Sequence, residues 1–327
     1  MSQAGREAFW DNTRAVLMWL VVLGHTIQQF VGAGFFSHPL FKAIYLFHIP
    51  LFFFVSGYFA LASIRKHRFA GLKKTALRLL PPIFTMGSLQ LILMLWQGKS
   101  FEPTSVWRCY VCLWFLWSLF ECQVFAYLLK ATRNRIIRFV TLCLPFVLCL
   151  VAPQYIPYAD YLGLAWPCFV IGMYSRHKGF SRLSINPHWY WAAPAAILCF
   201  YLFQDDWYVY TCPLSLSLSS IGVALFRLAA AFSSGCVFLA IMHQCSDRLH
   251  LANIGSATLG IYVIQSVVFK VASYLHLPAY LSQTWVMITA SLAIFFLSYF
   301  TYVLTRKLPI AAALAYGDIP PRKAESN

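Results

Sequence analysis

Residues 15–35 read AVLMWLVVLGHTIQQFVGAGF. A helix needs about 20 apolar residues to cross the hydrocarbon core of a membrane, and this run supplies them. It is too long for the apolar part of a cleavable export signal, so it is expected to remain as a span. His25 interrupts it. Asp11, Asn12 and Arg14 precede it, and Thr26, Gln28 and Gln29 continue the polar character beyond the histidine. The stretch therefore reads as a membrane helix carrying a polar track.

Working outward, nine further runs qualify: 41–62, 79–96, 109–129, 137–152, 161–175, 189–203, 221–243, 256–275 and 285–304. They are continuously apolar rather than alternating, which argues for helices and against a β-barrel. The fifth, sixth and seventh spans are short and bounded by Pro153, Pro157 and Pro187, as expected of tilted or partly re-entrant segments. Composition agrees. Of 327 residues, 60% are hydrophobic and 11% charged, against about 45–50% and about 25% in soluble globular chains. Mean hydropathy is +0.67. So few charges could not cover the surface of a soluble fold this apolar. The expected fold class is all-α, a polytopic transmembrane bundle of about ten spans. It forms a single domain over 1–327, with a polar C-terminal tail from about 305.

The net charge of +15 does not imply nucleic acid, because the basic residues alternate between loops. One set holds Arg65, Lys66, Arg68, Lys73, Lys74 and Arg78, then Lys130, Arg133, Arg135 and Arg138, then Arg176, Lys178 and Arg182. Arg248 and the tail (Arg306, Lys307, Arg322, Lys323) complete it. The intervening loops hold Lys42, Lys99, Asp160, Asp205 and Asp206. The positive-inside rule then puts both termini in the cytoplasm. A cationic face suits anionic lipids or a polyanionic ligand. The 10 cysteines are irregularly spaced and read as packing residues, not a disulfide framework. Cys109-x-x-Cys112 has no second pair at zinc-ribbon spacing, and no metal site is expected.

Ionisable side chains inside a span need a reason. Arg14 and His25 are 11 residues apart. At about 100° per residue they fall within roughly 20° of three full turns, on one face and about 16 Å apart along the axis. Arg14 sits at the membrane boundary and His25 at depth. In the second span, His48 falls near the outer end, Pro50 in the first turns, and Ser56-Gly57 offers a small surface for close packing. The run from Lys73 and Lys74 to Arg78 opens the third span, a place that favours phosphate groups.

Phe9-Trp10-Asp11-Asn12-x-Arg14, ten residues, then His25 resembles the opening of the acyltransferase 3 family of integral membrane O-acyltransferases. So does His48-x-Pro50-Leu-Phe-Phe-Phe-x-Ser56-Gly57-x-Phe59, and so do Arg78-Leu-Leu-Pro81 and Trp114-Phe-Leu-Trp117. Two positions depart from the family pattern. Thr75 stands where an arginine is common, and Gln265 ends Gly255-x-x-Thr258-Leu-x-Ile-Tyr-x-x where a histidine is usual. No proton-transfer role is carried onto Gln265.

The resemblance implies acyl transfer, most often of acetyl, from a cytoplasmic acyl-CoA to a hydroxyl of a glycan or glycolipid at the outer face of a bacterial inner membrane. His25 would be general base or transient acyl carrier, and Arg14 would orient the donor or stabilise developing negative charge. Lys73, Lys74 and Arg78 would hold the CoA phosphates, and His48 and Ser56 would contact substrate. Membrane lipids and polysaccharide-biosynthesis proteins would be its partners. Trp207, Tyr208, Tyr210, Asp205 and Asp206 offer an outer surface for a sugar. A glycan or lipid transporter would share the spans and the track, but would not turn over acyl-CoA. A haem protein using His25, His48, His243 or His276 would be coloured.

Overall fold

The computed structural model describes residues 3–98, 101–151, 159–180, 185, 187–273 and 282–318, with side chains for these except 3–7 and 66–69. The readings above on Lys99, Pro153, Pro157, Arg182, His276, Arg322 and Lys323, and on the side chains of Lys66 and Arg68, lie outside this set. Among the described residues there are helices and no strand. In chain order they are α1 (Gln3–Val31), α2 (Pro39–Tyr45), α3 (His48–Trp96), α4 (Pro103–Tyr110), α5 (Trp114–Ala131), α6 (Arg135–Val151) and α7 (Leu162–His177). Then come α8 (Ala193–Leu202), α9 (Leu218–Leu249), α10 (Ala252–Ser256), α11 (Thr258–Ala272), α12 (Thr284–Thr305) and α13 (Pro309–Tyr316).

The all-helical expectation holds, and a helix stands at each of the ten expected places. Five segments are long and apolar enough to cross a membrane: Ala8–Val31, Pro39–Arg65, Ala70–Trp96, Leu218–Leu249 and Thr284–Thr305. A sixth is counted if α4 and α5, bent by 74°, form one span. Helices α6, α7, α8 and α11 are shorter, at 17, 16, 10 and 15 residues. Part of the expected polar tail is itself ordered. Helix α13 packs on α3, where the Thr85 hydroxyl donates to the Leu314 carbonyl at 2.8 Å.

Helix α3 folds back on itself. Straight, its 49 residues would put Phe52 and Leu79 about 40 Å apart at 1.5 Å per residue. Instead both line one cavity, and Leu51, Phe52 and Val55 share a core with Leu79, Ile83 and Met86. Pro81 and Pro82 lie in the second arm, where each removes a helical N–H and favours a bend. The first arm lies against α7 with almost no spacer. A Cβ on Gly57 would overlap the carbonyl of Phe169, and a Cβ on Gly172 would overlap that of Phe54. Small residues permit this approach of two membrane helices.

Helix α1 runs through the centre, touching α9, α10, α11, α12 and both α2 and α3. Its polar side chains tie it to its neighbours. Asn12 Nδ2 donates to the Ser246 carbonyl at 2.7 Å, Trp19 Nε1 to Ser291 Oγ at 3.0 Å, and Gln29 Nε2 to the Ala272 carbonyl at 3.1 Å. Thr13 and Thr26 return their hydroxyls to the carbonyls of Phe9 and Val22. Bonds of this kind satisfy groups that lipid cannot. The loop between α8 and α9 is pinned by a buried cation. Arg227, within α9, donates to the carbonyls of Trp207 at 2.5 Å, Tyr208 at 3.0 Å and Cys212 at 2.6 Å.

Candidate active site

Three cavities follow one another through the bundle. The first, a basic chamber of about 260 Å³, is lined by Arg14, Ser56, Thr75, Arg78, Gln123 and Thr258. The second, a central pocket of about 30 Å³, holds His25 and His48 with Tyr45, Trp114 and Tyr210. The third, a far chamber of about 260 Å³, is lined by His25, Gln90, Gln265, Ser266, Lys270 and Ser273. Met18, Phe52, Phe115 and Tyr262 border both the first and the second. His25, Trp114 and Tyr262 border both the second and the third. Tyr262 thus reaches all three, and the histidines stand between the two large chambers.

The sequence builds this arrangement locally. Arg14 and His25 share one face of α1, so each opens toward the same track from its own depth. The first arm of α3 begins at His48, which places that ring at the pocket and Ser56 two turns further on, in the basic chamber. The second arm returns Thr75 and Arg78 to the same chamber. The bend between α4 and α5 is held by Trp117 Nε1, which donates to the Tyr110 carbonyl at 3.0 Å. It brings Trp114 and Phe115 to the pocket.

The hydrogen bonds define what each group can do. His48 Nδ1 donates to the Ile44 carbonyl at 2.8 Å. His25 Nδ1 donates to Gln28 Oε1 at 2.6 Å. With Nδ1 so engaged, the basic lone pair of each neutral imidazole lies on Nε2. Arg14 is paired with Asp11 through Nη2, and its guanidinium lies over the Phe59 ring at 5.1 Å. Arg14 Nε is buried without a partner among the described residues.

The structure sorts the residues singled out from the sequence. Arg14, Ser56 and Arg78 meet in the basic chamber, and His25 and His48 meet in the central pocket. Ser56, paired with His48 in the sequence reading, is on the other side of the shared border. Lys73 and Lys74 are exposed and do not line the chamber. Of the loop aromatics, Tyr210 enters the central pocket. Trp207 and Tyr208 are held back by Arg227, and Asp205 accepts the Ser37 hydroxyl. His243 does not join the two histidines of the pocket.

Several residues that line these cavities were not singled out from the sequence. Gln265, Ser266, Phe269 and Lys270 of α11, and Ser273 at its end, line the far chamber. Their spacing of one, three, one and three is a one-sided helical stripe, and that signal was present. Gln265, set aside for proton transfer, is 1% exposed, and its Oε1 has no partner among the described residues. Gln90 and Gln123 carried no pattern that would have found them.

A basic chamber, a histidine pocket and a polar chamber in series suit transfer of a group between two sides. The comparisons agree with that class. The chain belongs to the acyltransferase 3 family, whose acyltransferase domain matches residues 7–305. It is similar to the nodulation protein NolL of Mesorhizobium japonicum, with 24% identity over 294 residues, covering 81% of this chain and 77% of that protein. It is also similar to the nodulation protein NolL of Sinorhizobium fredii, with 27% identity over 296 residues, covering 81% and 78%. No solved structure matches. The protein is a membrane acyltransferase for groups other than aminoacyl.

Proposed function

We propose that this protein takes acetyl from acetyl-CoA on the cytoplasmic side. It passes the group to a hydroxyl of a glycan or glycolipid on the outer side of a bacterial inner membrane. In this reading the ten helical legs all span, both termini are cytoplasmic, and the basic chamber opens to the cytoplasm. The observation that carries it is the placement of His25 and His48 in a small pocket between the basic chamber and the polar one.

Arg14 and Arg78 fit the donor, since both guanidinium-bearing residues border the basic chamber. Lys73 and Lys74 act from the rim by charge. Ser56 contacts the thioester arm, and His48 lies beside the reacting group. The acceptor hydroxyl stands in the far chamber with Gln265 and Lys270. Its oxygen attacks the thioester carbonyl carbon while its proton passes to His25 Nε2. The new C–O bond forms as the C–S bond breaks, and the sulfur leaves as CoA thiol with the proton from His25. General base help of this kind contributes about 10²–10⁴-fold in rate. In the carrier version His25 Nε2 is acylated first and the hydroxyl then attacks the acyl-imidazole. Acid quenching during turnover would trap that species only in the second version.

The test is transfer of labelled acetyl from acetyl-CoA to surface glycan in membranes. His25→Ala is expected to abolish it, by about 10²-fold or more, while the protein still inserts and accumulates. His177→Ala, where the ring pairs with Arg65 at an exposed site, is the control and should be nearly silent. Near-normal transfer by folded His25→Ala would remove the catalytic assignment. Absence of transfer by the wild type would favour a transporter.

A further inference from the structure

The two large chambers do not simply join. Between them lies a neck bordered by Met18, Phe52, Phe115 and Tyr262, the residues common to the basic chamber and the central pocket. It is tightly built. Phe115 lies 5.7 Å from Phe52, 5.0 Å from Phe53 and 5.9 Å from Tyr262, ring centre to ring centre. Met18 is 4% exposed and Phe52 6%. Beyond the neck the pocket beside His25 and His48 offers about 30 Å³. One water needs about 10–15 Å³ measured this way, so the pocket takes two or three non-hydrogen atoms.

We propose that this neck and pocket form an acyl-length filter, set by Phe115 and Phe52, that admits acetyl and excludes butyryl and longer chains. The inference rests on the acyl-CoA reading above. A thioester arriving from the basic chamber must bring its carbonyl to the hydroxyl held at His25 Nε2 or, in the carrier version, to Nε2 itself, so its acyl group must occupy the pocket. Acetyl has three non-hydrogen atoms and fits. Butyryl has five. Its two surplus methylenes can go neither back through the neck, which the sulfur occupies, nor forward into the far chamber, where the acceptor hydroxyl must stand, and a side cavity of about 30 Å³ lies behind Tyr45, Ile49 and Tyr210, with the Tyr45 and Tyr210 rings in contact at 6.1 Å between it and the pocket. Neither ring carries a donor or acceptor, so size is the only property they contribute.

The experiment uses membranes of the native host with its own copy deleted and the wild type or a variant restored. Transfer to endogenous acceptor is followed with acetyl-, propionyl- and butyryl-CoA. One surplus methylene in a tight pocket costs about 10-fold or more in kcat/KM, so wild type should prefer acetyl to butyryl by at least about 10-fold. Phe115→Leu and Phe52→Leu, each verified as monodisperse in detergent, should narrow that ratio to about threefold or less. Two substitutions at separate positions keep the test open should one fail to fold. Wild type that transfers butyryl as readily as acetyl would overturn the filter while leaving acyl-CoA as donor. So would folded variants with an unchanged ratio. Wild type that transfers no acyl group from any of the three would overturn the donor reading, and the filter with it.

Discussion

Among single residues the structure separates cations that look alike in the sequence. All three are exposed, but Arg78 borders the basic chamber, whereas Lys73 and Lys74, five and four positions earlier, do not. An arginine fork at a defined distance can make charge-assisted bonds to a phosphate, while a solvated lysine contributes mainly a screened field. Arg78→Ala is therefore expected to raise the KM for acetyl-CoA by about 10-fold or more, a charged hydrogen bond being worth about 1.5–3 kcal/mol. The Lys73→Ala, Lys74→Ala double variant should raise it only a few-fold, and the gap to wild type should close as salt is raised. Steady-state kinetics in salt-matched membranes decides. Equal effects for the two variants would mean that the whole rim acts as an undifferentiated charge. Gln265 shows the opposite error. It departs from the family pattern, yet it lines the far chamber together with His25, and its buried Oε1 has no partner among the described residues.

At the scale of elements, the site depends on how closely α3 approaches α7 and on its fold-back. Gly57 and Gly172 meet the facing backbones with no space for a side chain. Gly172→Leu must force the helices apart, and overpacking of this kind costs about 1–3 kcal/mol or more. His48 and Ser56 ride on the same arm, so activity should fall along with stability. The internal control is Gly222 in α9, where an added Cβ meets nothing. Gly222→Ala should be neutral or stabilising, by up to about 1 kcal/mol through helix propensity. Thermal unfolding of the detergent-solubilised variants measures both. A Gly172→Leu protein as stable and active as wild type would show that the α3–α7 contact is not tight. Arg227 has an equally defined task. It crosslinks three carbonyls of the loop that delivers Tyr210 to the central pocket, and this is why a cation is tolerated within α9.

For the whole molecule, ten legs and the charge alternation predict a topology that length and apolarity alone establish for five or six segments. The short helices α6, α7, α8 and α11, at 17, 16, 10 and 15 residues, are the segments on which that topology has to be tested. Reporter fusions after Arg138 and after Arg182 should read cytoplasm, and a fusion between Asp205 and Asp206 should read the outer side. An outer reading after Arg138 would invert the direction in which the basic chamber opens and would overturn the proposed direction of transfer.

The sequence by itself determined that the chain is a helical membrane protein, because lipid imposes its demand one segment at a time through length, apolarity and flanking charge. It also determined that Arg14 and His25 share a face, because both lie on one helix and 11 residues close three turns. The family motifs around His48 and Ser56 were legible for the same reason, being contiguous. Tertiary structure alone decided which polar groups meet. Phe52 and Leu79 reach one cavity only because α3 folds back, and Arg78 borders that cavity while Lys73 does not, by its direction on the helix. Gln265 from α11, Tyr210 from a loop pinned by Arg227, and Phe115 from a helix turned through 74° converge on His25 from distant parts of the chain. Such convergence is a relation between segments, fixed by close packing, and no local pattern of residues encodes it.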